Sequence, residues 1–153
     1  MKRVLVTGSR TWDDPSPIAR LLQQAFDPSG PSLVIHGACP HGADRIARDL
    51  VRAWRHDGWP VAEQGVPARW DVCAASCRPG HRRVRDGREW CPSAGHRRNA
   101  LMVDQGADIC LAFIRGGSAG ASGTAALAEA AGIETVRVPW GARADININL
   151  KGD

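Results

Sequence analysis

Several familiar signatures are missing from this chain of 153 residues. No apolar run approaches the roughly 18 residues of a membrane span, so no membrane partner is expected. The opening MKRVLVTG is too short for a signal peptide. Five cysteines are an odd number and do not suggest a disulfide framework; thiol or metal chemistry in a reducing cytoplasm is the expectation. The absence of Gly-Lys-Ser/Thr excludes a Walker phosphate loop, and the first strand is not followed by a clean Gly-x-Gly-x-x-Gly. Neither His-Glu-x-x-His nor the paired motifs of a zinc deaminase occur. Basic charge is also missing from most of the chain. Residues 78–98 hold seven arginines against Asp86 and Glu89, whereas the remainder carries 13 basic and 14 acidic residues. A domain-wide nucleic-acid footprint is therefore absent, and the net charge of +4 belongs to one segment.

What remains is a globular composition, 43% hydrophobic and 24% charged. The length suits one domain able to bury about two-thirds of its unfolded surface. Apolar β-branched runs predict buried strands at 2–8, 33–36, 60–66, 108–114 and 134–138. Helical spacing predicts helices after Asp13-Asp14-Pro15 (Ile18, Leu21, Leu22, Ala25), over 43–56, from Arg97 to near Gly106, and over 125–131. Strands alternating with helices imply a three-layer α/β/α, Rossmann-like domain, with a mainly parallel sheet of about five strands. The reading divides the chain into a domain at 1–138, an insert at 70–95 within it, and a tail at 139–153.

In such sheets ligands gather beyond the carboxyl ends of the strands. Three clusters follow strands here: Thr7-Gly8-Ser9-Arg10, His36-Gly37 through Asp44, and Gly116-Gly117 through Thr124. The last, GGSAGASGT, predicts tight turns and a helix start near Gly123-Thr124, where free amides and the dipole favour phosphate. Ser9 offers a hydroxyl and Arg10 a guanidinium fork. Asp44 suits a helix cap or a contact to ribose or base. His36 reads as a core histidine more readily than as a site residue.

Together, VLVTGSRTW, VIHGACPHGADRIA, Trp70-Asp71, AGHRRNALMV and GGSAGASGTAALAEAAGI resemble the YspA/YpsA-related branch of the SLOG superfamily, which also includes DprA-like and Lonely Guy (LOG) proteins. The resemblance spans about 2–138 and implies a Rossmann-like fold that binds nucleotides or nucleotide-derived ligands at the glycine-rich rim. Ser9, Arg10, Gly37, Asp44, Arg98, Asn99, Gly116, Gly117, Gly123 and Thr124 match its pattern. One departure concerns catalysis. LOG phosphoribohydrolases carry Pro-Gly-Gly-x-Gly-Thr-x-x-Glu, but Arg115 replaces the proline here and Leu127 stands at the glutamate's place. Glu129 lies two residues on, about 200° round a helix. Cleavage of an N-glycosidic bond would then need Asp44 or another acid, and no catalytic residue is assigned.

The segment WDVCAASCRPGHRRVRDGREWCPSAGHRRNA has the spacing Cys73-x3-Cys77-x3-His81-x9-Cys91-x4-His96. Four of these side chains suffice for a tetrahedral zinc. Cys73, Cys77, His81 and Cys91 are the expected set, with His96 the alternative fourth ligand. A full set of protein ligands points to a structural zinc, and its binding would order a polar loop that buries little. Three functions follow. A nucleotide or ADP-ribose-like phosphate occupies the rim, in a sensor or an enzyme; or the arginine-rich insert binds nucleic acid; or the insert is the interface arm of a homo-oligomer.

Overall fold

Alternation of apolar residues along the strands sets the layers. The computed structural model describes residues 1–142 and 148. Its elements are β1 (Lys2–Gly8), α1 (Pro15–Ala25), β2 (Ser32–His36), α2 (Gly42–His56), β3 (Val61–Gly65), β4 (Arg83–Arg85), β5 (Arg88–Trp90), α3 (Ala94–Asp104), β6 (Ile109–Ile114), α4 (Ala119–Ala130) and β7 (Glu134–Pro139). Five strands form one parallel sheet in the order β3-β2-β1-β6-β7. Val4, Val6, Ile109, Leu111 and Phe113 pack on one face with Ile18, Leu21 and Leu22 of α1 and with Ala43, Ala47 and Val51 of α2. Leu5, Ile35 and Cys110 face the other way, against Met102 and Val103 of α3 and Ala128 of α4. The chain adopts the expected Rossmann-like three-layer arrangement.

Local chemistry fixes the element ends. Asp14 accepts a hydrogen bond from the Ser16 amide at 2.9 Å, and proline occupies the first turn of α1. Gly42 opens α2 at φ +69°, and a Cβ there would lie 2.6 Å from the Arg10 Cα. That close approach seats α2 directly beneath the β1 loop, so only glycine fits.

Three expectations shift. The helix expected from Arg97 begins at Ala94, because Gly95 lets the first turn meet the Trp70 ring, 3.0 Å from where a Cβ would stand. The helix expected from Ala125 begins at Ala119; packing of Ala121, Thr124 and Ala125 overrides the poor helix propensity of Gly120 and Gly123. The insert holds an unexpected hairpin, β4–β5, pairing Arg85 with Arg88 across Asp86 and Gly87, both at positive φ (51° and 73°). Asp-Gly is the favoured sequence for this two-residue turn.

Beyond β7, Trp140 packs edge-on against Trp12 at 5.0 Å between ring centroids. The rest of the expected tail, 143–147 and 149–153, lies outside the described residues.

Candidate ligand cleft and metal centre

The strand order reverses between β1 and β6, so the loops leaving these neighbours diverge and open a crevice at their carboxyl ends. A cavity of ≈ 710 Å³ occupies that place. Of the expected ligand residues, Ser9, Arg10, Asp44, Arg98, Asn99, Gly117 and Gly123 line it. Gly37 lines an adjoining cavity of ≈ 680 Å³, which shares Arg10, Cys39, Trp70, Pro92 and Arg98 with the first. Neither Gly116 nor Thr124 lines either cavity. With α4 starting at Ala119, Thr124 lies in the second turn, fully buried, and its hydroxyl donates back to the Gly120 carbonyl at 2.9 Å. The helix start that meets the cavity is therefore Ser118–Ala121, not Gly123-Thr124. The first intrahelical donor is Ser122, to Ser118 O at 3.0 Å, which leaves the amides of Ala119, Gly120 and Ala121 free of helical acceptors. Cβ atoms built on Gly117, Gly120 and Gly123 would meet nothing within 4 Å, so the cleft reaches the backbone itself.

The side chains divide between holding the rim and facing the cleft. Ser9 is buried; its hydroxyl accepts from the Arg115 amide at 2.8 Å and ties the β1 loop to the β6 loop. Arg98 donates to the carbonyls of Gly37 and Val66 and, through Nε, to Asn99 Oδ1 at 2.7 Å. Burial lowers its pKa, with Asp44 opposing that shift. A Cβ on Gly37 would stand 2.6 Å from the Arg98 guanidinium carbon and 2.8 Å from Asp44 Oδ2, so a larger residue would have to displace the ends of these two side chains. Asp44 accepts from the Cys39 amide at 3.3 Å, and burial pushes its carboxyl up, outweighing the amides and the Arg98 charge. Arg10 is exposed and, among the described residues, has no carboxylate partner. His36 stays in the core: Nδ1 accepts from the Ala38 amide at 3.1 Å and Nε2 donates to Glu63 at 2.9 Å.

The second constellation lies in the insert. The ligand atoms of Cys73, Cys77, His81 and Cys91 all fall within 4.8 Å of one another. Cys73 Sγ and Cys91 Sγ stand 3.2 and 3.5 Å from His81 Nε2, and Cys77 Sγ stands 3.8 Å from Cys91 Sγ. This group could hold a metal ion. His96 is exposed, outside the group and on the cleft wall, because the turn into α3 separates it from Cys91. Arg97 donates to Cys91 Sγ at 3.4 Å and to Cys77 Sγ at 3.5 Å. Burial pushes the Cys91 thiol up, yet the Arg97 hydrogen bond, the Ser93 amide and the neighbouring thiols together bring it down to about 6.

With this geometry, likeness to known proteins becomes informative. Residues 2–70 match the model of the YspA, cpYpsA-related SLOG family. The chain is 34% identical over 137 residues to the Gene 61 protein of Mycobacterium phage D29, covering 89% of this chain and 95% of that protein. The chain belongs to the YspA/cpYpsA-related SLOG family. No solved structure matches it.

Within this SLOG domain two contributors lie outside the expected set of site residues. Arg115 leaves β6 into the cleft wall, donates to Thr11 O at 2.7 Å, pairs with Asp13 at 3.2 Å and lies 4.0 Å above the Trp140 ring. Its position directly after a central strand was the available signal. Ser118 marks the true start of α4, hidden because the glycines around it suppress any helical pattern.

Proposed function

We propose that this protein binds a nucleotide or nucleotide-derived phosphate, of ADP-ribose type, in the crevice between β1 and β6. One observation carries the reading: a guanidinium without a carboxylate partner among the described residues, Arg10, shares a ≈ 710 Å³ cavity with the bare, glycine-lined first turn of α4. Unsatisfied amides and a helix dipole attract an anion, and Arg10 adds a fork of charge-assisted donors. Asp44 and Asn99 on the same wall suit hydroxyls or ring nitrogens of a sugar or base. Binding is favoured over LOG-type cleavage, since Leu127 occupies the glutamate's place and Glu129 is held by Arg137 at 2.7 and 3.0 Å.

The Cys3His group serves as a structural zinc site. Tetrahedral zinc with bonds of about 2.3 Å to sulfur and 2.0 Å to nitrogen separates two sulfurs by about 3.8 Å and sulfur from nitrogen by about 3.5 Å. Three of the six spacings in the group, 3.2, 3.5 and 3.8 Å, are of this size, and all six lie within 4.8 Å. Zn²⁺ with three thiolates and a neutral imidazole would carry one net negative charge, which Arg97 offsets, and four protein ligands leave no position for water.

Thermal-shift measurements with inorganic pyrophosphate, mono- and dinucleotides, ADP-ribose and short DNA test the ligand. A compound at 100–1,000 times its Kd adds about 3–4 kcal/mol of stability. Arg10→Ala should abolish the shift without lowering the unliganded Tm. If no phosphate compound moves the Tm, the reading fails.

A further inference from the structure

The second cavity, beside the phosphate cleft, has a different chemistry. Its walls include Pro40, Pro67, Ala68 and Pro92, with the indoles of Trp70 and Trp90. The two rings meet edge to face, 5.8 Å apart at 73°. Arg85 of the hairpin lines it too, and Arg10 and Arg98 stand where it joins the first cavity. Two of the chain's six tryptophans thus line one recess, in a protein that has no tyrosine. Both are fixed rather than free. Cys91 donates its amide to Trp70 O at 2.8 Å, Trp90 immediately precedes that metal-group cysteine, and Trp70 lies against Gly95 of α3.

We infer that the insert builds a base subsite: Trp90, backed by Trp70 and Arg85, receives the aromatic ring of the nucleotide whose phosphate lies in the β1/β6 crevice. This rests on the phosphate reading above and extends it from the Rossmann core to the metal-stapled loop. Apolar walls with an indole face suit a planar base, whereas the glycine-lined turn suits a phosphate; the shared Arg10 and Arg98 place a guanidinium pair between them. Stacking on an aromatic face tolerates every base, so the subsite selects for an aromatic ring and only weakly for its identity.

The experiment compares wild type, Trp90→Ala and Trp90→Phe, each checked for retained metal, by isothermal titration with adenosine, AMP, ADP-ribose, inorganic pyrophosphate and a single-stranded DNA dodecamer. Wild type should bind AMP or ADP-ribose at least about tenfold tighter than pyrophosphate. Trp90→Ala should remove that advantage, leave pyrophosphate binding unchanged, and be rescued by Trp90→Phe. Equal nucleotide affinity in wild type and Trp90→Ala overturns the base subsite while sparing the phosphate site. Adenosine binding that depends on Trp90, without any pyrophosphate binding, supports the subsite and overturns the phosphate reading. If no compound binds, both fall. A dodecamer that binds wild type more tightly than any free nucleotide, and loses that affinity in Trp90→Ala, overturns a free nucleotide as the occupant.

Discussion

Arg97 and Arg98 are consecutive residues of α3 with opposite assignments. Arg97 donates to the sulfurs of Cys91 and Cys77, and Arg98 to the carbonyls of Gly37 and Val66. One peptide unit therefore joins the metal group to the ligand rim. Successive helical residues diverge by about 100°, so the pair can reach both centres from one backbone position.

Removing a ligand should dismantle the insert and spare the sheet. Wild type is expected to carry one zinc per chain by elemental analysis, and Cys77→Ser to carry none. Limited proteolysis of that variant should cut within 71–91, where β4 and β5 are exposed on both faces and bury almost nothing. A variant that keeps its metal and its protease resistance contradicts the assignment.

Arg97→Ala should weaken the metal about 10- to 100-fold without touching a ligand, as loss of an outer-shell partner does. Competition against a chromophoric chelator reads this directly. Arg97→Lys should recover only part, since Arg97 serves both sulfurs from Nη1 and the Val72 carbonyl from Nη2, two separate nitrogens that one ammonium cannot replace.

Asp44 makes stability depend on pH. Burial raises its folded-state pKa above the usual 3.8. Between 3.8 and that raised value the native state holds a proton the unfolded chain has released, so this group's contribution to stability falls as pH rises through the window. Asp44→Asn should therefore raise the Tm at neutral pH relative to pH below 3.8, compared with wild type, while weakening ligands that use the carboxylate. Glu63 acts in the opposite sense. Burial raises its pKa, but hydrogen bonds from Arg52 and His36 prevail and hold it below 4.5, so its contribution is lost as pH falls through that lower value.

Much of this architecture could be read from the residues. Strand runs such as VLV and CLAF are short, β-branched or apolar, and buried on both faces, so their pattern survives tertiary packing. The four residues of the Cys3His cluster could be named because thiol and imidazole donors within one polar segment have few other uses. What escaped was structure without a hydrophobic period. The first turn of α4 is made of glycine, alanine and serine and is held by packing at Ala121 and Thr124, not by propensity. The hairpin has no buried face; its Asp86-Gly87 turn was its one legible mark. Ser9 shows the converse case: a hydroxyl with the right position for phosphate already serves the Arg115 amide.

Gly42→Ala should couple a fold defect to a ligand defect. A left-handed φ costs a non-glycine residue roughly 1–2 kcal/mol, and the added methyl would press on Ser9 O and the Arg10 backbone. The Tm should fall, and pyrophosphate affinity should fall further than the loss of stability explains, because Arg10 is displaced.

Glu129→Ala offers a contrast. The Glu129–Arg137 pair is exposed on both sides and lies away from the cavities, so its loss should barely move the Tm. Ligand binding should be unchanged; a large loss would restore a LOG-like role to this carboxylate.

The hairpin β4–β5 contributes no side chain to either core cluster, yet its Arg85 and Trp90 stand in the wall of the second cavity. The wall of that cavity is thereby built partly by a segment on which the packing of the sheet does not depend. Arg83, Val84, Arg85 and Arg88 can therefore be substituted, and the lining of that cavity altered at Arg85, with the core of the sheet left intact.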